Sequence, residues 1–302
     1  MKLTIGHLST LYHTSILMIA RPELTSDLSF EIDWRLFGTG PAIVEAFKNN
    51  QIDMAYIGLP PAIIGIAEGL DIVCIAGGHV EGTVLAAGKD SLTHKEASLC
   101  EILGQFKRIA VPGKGSIHDL ILQAIVSDCK VNVTVLNMPW ADEALESFVK
   151  GDADAVIGTP ALAQAVITYA NGQVVYPPSG LWPYNPSYGI LIRRSILYDK
   201  YDEVKQFVEL HERFTEILRK NPEDVADRIS ECMAVVDTDF VLNTIRISPC
   251  YCAALPEEYI RCTEELMKKQ FDLGYIGRAV DLERVFDLSI IKEIHPERHH
   301  YK

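Results

Sequence analysis

Residues 42–62 read AIVEAFKNNQIDMAYIGLPPA, and residues 143–163 read EALESFVKGDADAVIGTPALA. Each stretch contains a helical pattern, a short polar turn, an aspartate, a run of apolar residues and a Gly-x-Pro helix start. The two aspartates, Asp53 and Asp154, are 101 residues apart (154 − 53). A period of about 100 residues is too long for a solenoid repeat. The repeat therefore predicts two similar α/β lobes.

Strand-like runs alternate with helical patterns along both halves of the chain, which indicates mainly parallel sheets covered by helices. We therefore predict an α/β protein with two Rossmann-like lobes, each containing a mixed, mainly parallel sheet. The first lobe is expected to comprise residues 1–88 and 190–302, including amphipathic C-terminal helices that pack around it. Residues 89–189 are expected to form the second lobe. Two crossings between the lobes predict a hinge and a ligand cleft between them.

Composition excludes several classes of partner. The 302 residues are 48% hydrophobic, and 28 Lys and Arg against 41 Asp and Glu give a net charge of −13. This acidity argues against nucleic acid and anionic membrane surfaces as partners. No apolar run reaches the length of a membrane span, and MKLTIGHLST lacks the features of a secretory signal. The sequence as it stands predicts a cytoplasmic protein with no direct membrane insertion, or a periplasmic or cell-surface protein if a signal segment has been removed.

The candidate ligand site lies in loops that join strands to helices, because ligands of parallel sheets bind beyond the carboxyl ends of the strands. The helix starts at these loops leave backbone N–H groups free, and several such ends facing one cleft favour an anionic or strongly polar small molecule. The residues predicted from these loops are Thr39, Gly58, His79, Gly115, Ser116, His118 and Thr159.

Aromatic residues suggest that part of the ligand could be planar. Trp182 and Tyr184 lie in the predicted loop LWPYNPSY, where a ring could stack on them. Trp140 fits core packing equally well. His13 follows the polar stretch STLY near a helix start, so a capping role and a ligand contact are both open.

Other patterns carry little functional signal. PGKGS lacks the first glycine of a phosphate loop, since Arg108 occupies that position. Cys250 and Cys252 have no second cysteine pair and no histidine at zinc-site spacing, so we predict no metal and seven reduced thiols. The terminal HPERHHYK contains His295, His299 and His300, which could bind a metal loosely, but we expect this terminus to be solvated. No catalytic triad, paired carboxylates or nucleophile elbow is recognisable, and no catalytic residue is predicted.

The stretches IGHLSTLYHTSILMIA, GTGPAIVEAFKNNQIDMAYIGLPPAI and GLDIVCIAGG, in this order, resemble the type II periplasmic binding proteins of ABC importers. The most similar branch handles nitrate, aliphatic sulfonates, taurine and thiamine-pyrimidine precursors. The resemblance covers most of residues 1–192 and, more loosely, the C-terminal helices. Its most specific element is VEAFKNNQIDMAYIGLPPA.

This resemblance implies a substrate-binding protein that closes two lobes around one small anionic or polar molecule, serves an ABC permease and needs no cofactor. The contacts it implies from the first lobe fall on Ser9, Thr10, His13, Thr39, Gly58 and Leu59, and those from the second on Gly115, Ser116 and Thr159. The seven cysteines and the absence of a visible export signal depart from the pattern.

Two alternatives follow from the same resemblance. The fungal pyrimidine-precursor synthase of thiamine biosynthesis is similar to this branch and uses pyridoxal phosphate. LYHTSI resembles its His-Thr-Gly stretch at His13, with Ser15 in place of the glycine, and Lys48 is the one lysine close to the first loops. A cytoplasmic enzyme of this kind, with a pyridoxal phosphate cofactor, is one alternative. A cytoplasmic ligand sensor or carrier is the other.

Overall fold

A computed structural model describes residues 2–301 and contains two five-stranded sheets. The first sheet has the strand order β2-β1-β3-β10-β4. Its strands are β1 (Lys2–Leu8), β2 (Glu31–Phe37), β3 (Met54–Ile57), β4 (Ile72–Val80) and β10 (Pro186–Arg193). β1 pairs in parallel with β2 and β3, whereas β10 runs antiparallel to β3 and β4.

The second sheet repeats this arrangement with the order β7-β6-β8-β5-β9. Its strands are β5 (Val84–Gly88), β6 (Arg108–Pro112), β7 (Thr134–Met138), β8 (Ala155–Gly158) and β9 (Gly172–Tyr176). Again one strand, β5, is antiparallel to its two neighbours. The two sequence copies thus occupy equivalent places in two sheets, and the predicted fold class is confirmed.

The helices are α1 (Thr14–Ala20), α2 (Gly40–Lys48), α3 (Leu59–Ala67), α4 (Leu99–Gly104), α5 (Ile117–Cys129), α6 (Ala141–Val149), α7 (Pro160–Tyr169), α8 (Pro178–Leu181), α9 (Arg194–Asp199), α10 (Tyr201–Lys220), α11 (Pro222–Met233), α12 (Thr238–Ile247), α13 (Glu257–Asp272), α14 (Leu282–Val285) and α15 (Ser289–Ile294). A 3₁₀ turn spans Pro22–Thr25. None of the helices within residues 2–301 combines the length and apolar character that a membrane span requires.

The chain crosses between the sheets twice, and each antiparallel strand directly follows a crossing. The first crossing lies between Val80 and Val84, so β5 belongs to the second sheet although it falls within the predicted 1–88 segment. The second crossing lies between Tyr176 and Pro186, ahead of the predicted boundary at residue 190. Both predicted lobe boundaries are displaced because the sequence of an apolar strand does not show which of the two sheets it joins.

The C-terminal helices contact both lobes, which corrects the expectation that they pack around the first. α12 packs on α7, where the rings of Tyr169 and Phe240 stack with centroids 5.8 Å apart. α13 packs on both α3 and α5. Just after α13, the Tyr275 hydroxyl donates to Oδ2 of the buried Asp119 at 2.7 Å. The second lobe is therefore held from two sides.

Two expectations about the cysteines and the last segment were wrong. Cys100 and Cys129 form a disulfide, so the seven thiols are not all reduced. The terminal segment folds back onto the first lobe instead of extending into solvent. Tyr301 is 3% exposed, and its hydroxyl donates to the carbonyls of Cys252 and Ala254. A Cβ on Gly77 would lie 2.2 Å from that hydroxyl oxygen, so any residue other than glycine at position 77 would clash with Tyr301.

Candidate functional site

A cavity of about 410 Å³ lies between the lobes, at the ends of the strands that lead into helices. Helices α2, α3, α5 and α7 begin at its wall, with N-cap residues Thr39, Gly58, Ser116 and Thr159. Two of these helices, α2 and α3, belong to the first lobe, and the other two, α5 and α7, belong to the second. Because the first N–H groups of a helix lack partners within it, each end offers donors and a partial positive charge.

The hydroxyl groups at three of these ends differ in what they leave for a ligand. Thr39 Oγ1 accepts from the Ala42 N–H at 3.4 Å, and Thr159 Oγ1 accepts from the Leu162 N–H at 3.2 Å. Each threonine therefore keeps its hydroxyl proton for another acceptor. Ser116 Oγ donates to the Pro112 carbonyl at 2.8 Å, so its proton is already used. Of these three hydroxyls, those of Thr39 and Thr159, one on each lobe, therefore have a proton available for a ligand.

Two histidines complete the polar part of the wall. His13 is 2% exposed, its Nδ1 has no hydrogen-bond partner, and its ring lies 4.0 Å from that of Tyr188. His118 Nδ1 lies 3.0 Å from the Thr83 hydroxyl, so Nε2 is the nitrogen that can meet a ligand. Burial lowers the pKa of His118 to about 4 and places the pKa of His13 well below its usual value. Both imidazoles are therefore neutral near pH 7.

Charged side chains are scarce at the cavity. Among residues 2–301, no lysine or arginine lines it, and Asp142 is the only acidic side chain at its wall. Much of the remaining surface is apolar, from residues including Leu11, Ile117 and Leu162. The positive potential at this site therefore comes from helix ends, not from cationic side chains.

Comparison with known proteins gives the family and the fold. Residues 1–233 match the NMT1-like family, which is more than half of the chain. The chain belongs to this family. No curated protein matches the sequence significantly.

Solved structures share the fold of this NMT1-like chain. The periplasmic aliphatic sulphonate binding protein SsuA from Escherichia coli is 16% identical, with a TM-score of 0.80 over 95% of this chain and 92% of that one. The alkanesulfonate-binding protein SsuA from Xanthomonas axonopodis pv. citri, bound to MOPS, is 17% identical, with a TM-score of 0.79 over 94% of this chain and 98% of that one. The periplasmic nitrate-binding protein NrtA from Synechocystis PCC 6803 is 11% identical, with a TM-score of 0.78 over 98% of this chain and 88% of that one. The predicted resemblance to periplasmic binding proteins is confirmed at the level of fold.

Most residues predicted for the site of this NMT1-like chain line one cavity. They are Ser9, Thr10, His13, Thr39, Gly58, Ser116, His118 and Thr159. These residues come from five separate loops, which the sheet topology brings to one place. Their contact with a ligand stays a prediction.

The other predicted residues lie outside the cavity wall. Leu59 is fully buried in the first core, and His79 lies behind Tyr12, with ring centroids 4.8 Å apart. The Gly115 N–H donates to Asp119 at 2.8 Å. Trp182 and Tyr184 pack against the second-lobe core.

Sequence reasoning missed several wall residues. The hydroxyls of Tyr12 and Ser187 lie 3.1 Å apart although the residues are 175 positions apart in the chain. Met233, Val236 and Phe240, from the α11–α12 region, add an apolar side. Tyr12 adjoins His13 in the predicted loop and could have been included, but no local pattern identifies Ser187 or the α11–α12 residues.

Proposed function

We propose that this chain is a substrate-binding protein that holds one small molecule between its lobes and makes or breaks no bond. The observation that carries the proposal is that four helix N-termini, two from each lobe, meet at one cavity. A ligand there contacts both lobes at once, so it stabilises the closed arrangement over an open one. The shared fold with sulfonate- and nitrate-binding proteins supports this role.

The ligand class follows from the balance of charge and apolar surface. We propose an organic molecule with an apolar or planar body and one polar or singly negative end. No cationic side chain lines the described wall, so helix N-termini and neutral donors would receive the polar end, and the large apolar part of the wall matches an organic body better than a small, fully polar anion such as sulfate. The hydroxyl protons of Thr39 and Thr159 and the nearby N–H groups would receive the polar end. Leu11, Ile117 and Leu162 would cover the body.

The cavity does not fit pyridoxal phosphate. Among residues 2–301 no lysine lines it to attach the cofactor, and Lys48 lies away from it, paired with Glu45 and Glu68 at 2.6 and 2.7 Å. We therefore propose binding without a cofactor. The near-ultraviolet and visible spectrum of the purified protein, before and after adding pyridoxal phosphate, tests this; a new protein-bound band would favour the enzyme alternative.

The partner proposed is an ABC-type permease, which would receive the ligand when the lobes open. The similar folds of periplasmic binding proteins support this partner and a location outside the cytoplasmic membrane. Fractionation of the native host, with detection of the untagged protein, tests the location. Recovery in the cytoplasm alone would instead favour a sensor or carrier.

The decisive experiment is identification of the ligand. Native mass spectrometry of the protein as purified, compared with its denatured mass, reveals any retained molecule. A thermal-shift panel then compares the melting temperature of the protein with an alkanesulfonate and with sulfate. It also compares the melting temperature with and without a pyrimidine. We expect stabilisation by an organic ligand and none by sulfate. Solution scattering should show compaction when the ligand is added, and an unchanged profile at saturation would contradict closure.

A further inference from the structure

A second cluster of ligating side chains lies away from the cavity, where the terminal segment meets the first lobe. Cys252 Sγ lies 3.7 Å from His295 Nε2 and 3.8 Å from His300 Nδ1. One ligand atom from each of the three residues lies within 4.8 Å of the other two. Cys252 is fully buried and His295 is 6% exposed. One thiol and two imidazoles therefore converge at a position that is largely shielded from solvent.

The spacing of these atoms matches a metal centre. A zinc ion at about 2.3 Å from sulfur and about 2.0–2.1 Å from nitrogen, with tetrahedral angles, separates the two ligand atoms by about 3.6 Å. The two observed sulfur-to-nitrogen distances, 3.7 and 3.8 Å, are close to this value. The two imidazole rings stand nearly perpendicular, at 89°, so they approach the cluster from different sides.

The surroundings of the cluster are those of a metal site. Nδ1 of His295, on the ring edge away from the sulfur, lies 3.1 Å from Oε1 of Glu212, and a carboxylate in this position orients a metal-bound imidazole. The backbone N–H of His300 donates to Cys252 Sγ at 3.3 Å, which holds the sulfur beside the two imidazoles. Glu212 itself is held by the Ala253 N–H at 3.2 Å.

We propose that Cys252, His295 and His300 bind one zinc ion, with a fourth coordination position left for water or a small ligand. A mixed sulfur and nitrogen set suits zinc, a borderline-soft ion that accepts both donors. On binding, the Cys252 thiol loses its proton to solvent and the sulfur joins the metal. No short motif in the sequence indicates this site, because Cys252 lies 43 residues before His295 and 48 residues before His300.

The metal would fasten the 295–301 segment to the 250–254 stretch. That stretch reaches toward the ligand cavity, since the Tyr251 ring lies 4.7 Å from His79 and His79 lies 4.8 Å from Tyr12, a cavity residue. Zinc would therefore brace the rear of the binding site without touching the ligand.

Cobalt(II) titration of the untagged, chelator-treated chain tests the proposal. We expect a thiolate-to-cobalt charge-transfer band that saturates at one equivalent and disappears when zinc is added. Zinc should also raise the melting temperature of the chain, because it binds the folded state. A wild-type chain without the charge-transfer band overturns the proposal, whatever the variants do.

Variants locate the site. Cys252→Ser should abolish the band, whereas Cys232→Ser, at an exposed cysteine on α11, should leave it unchanged. His300→Gln, near the end of the chain, should weaken zinc binding and remove the thermal stabilisation, which keeps the test informative if Cys252→Ser does not fold. Glu212→Gln should weaken zinc roughly 10- to 100-fold. A full band at one equivalent in both Cys252→Ser and His300→Gln contradicts the assignment.

Discussion

At the scale of single residues, the repeated aspartate has a structural role in both lobes. Asp53 Oδ2 accepts from the N–H of Thr4 in strand β1 at 2.9 Å, and Asp154 Oδ2 accepts from the N–H of Arg108 at the start of β6 at 2.8 Å. In return, the backbone N–H of each aspartate donates to the carbonyl of the same partner at 2.9 Å. The repeated motif thus joins a helix–strand turn to the equivalent strands β1 and β6 of the two sheets, away from the ligand cavity.

Asp154→Ala is expected to destabilise the chain by about 1–2 kcal/mol, because the backbone N–H groups of Lys107, just before β6, and of Arg108, its first residue, lose a charged acceptor. Urea unfolding measures the change. Asp152→Ala, an exposed aspartate in the same turn, is the matched control and should have little effect. Equal losses in the two variants would contradict the bracing role.

The buried His211 should make stability depend on pH. Burial lowers its pKa to about 4, against an ordinary value of 6.5, while Thr14 and the Gly77 carbonyl contact its two ring nitrogens. Between pH 4 and 6.5 the unfolded chain therefore binds the proton that the folded chain excludes. The stability is fully present above pH 6.5 and is lost as pH falls, by up to about 1.4 kcal/mol per pH unit for this group.

His211→Gln should reduce that slope, even though it lowers stability at pH 7 by removing one hydrogen bond. Urea unfolding at several values between pH 4.5 and 7 compares the variant with the wild type and with His94→Gln, at an exposed histidine. Parallel curves for all three proteins would show that His211 does not titrate as the structure implies.

At the scale of elements, the helix starts were predictable because their signals are local. Gly-x-Pro after an apolar strand predicts α3 and α7, and Thr39 and Thr159 are N-caps as their positions suggest. The β5 and β10 assignments were harder, since sheet membership depends on distant partners. The Cys252–His300 contact and the α11–α12 wall depend entirely on tertiary packing, which no spacing along the chain records.

Thr159 tests whether the helix ends bind the ligand. Thr159→Val removes both the cap of α7 and the free hydroxyl proton, and it should weaken ligand binding by about 1–3 kcal/mol. Thr159→Ser keeps both groups and should bind nearly as the wild type does. Calorimetric titration with the identified ligand measures the affinities, and thermal unfolding separates the loss of the cap, about 1 kcal/mol, from the loss of binding. The same pair at Thr39 should behave alike, and unchanged affinity in both valine variants would remove these hydroxyls from the site.

At the scale of the whole molecule, contacts across the cleft decide how the lobes meet. α12 and α13 hold the second lobe from outside, while loop residues approach each other at the cleft. Trp140, the N-cap residue of α6, lies against Gly38 of the first lobe, and a Cβ on Gly38 would be 2.6 Å from its ring. The indole is 47% exposed, so this contact covers the mouth of the cleft instead of forming part of a core.

Gly38→Val should therefore weaken ligand binding about fivefold or more, because its side chain would displace the indole from the mouth of the cleft. Trp140→Ala should cause a loss of similar size, and the double variant should lose little beyond either single variant, since both changes remove the same contact. Calorimetric titration gives the three affinities. Gly88→Val is the matched control, because a Cβ there meets no atom within 4 Å. Losses that simply add would show that Gly38 and Trp140 act independently, and closure would then depend on the helix N-termini and the C-terminal helices alone.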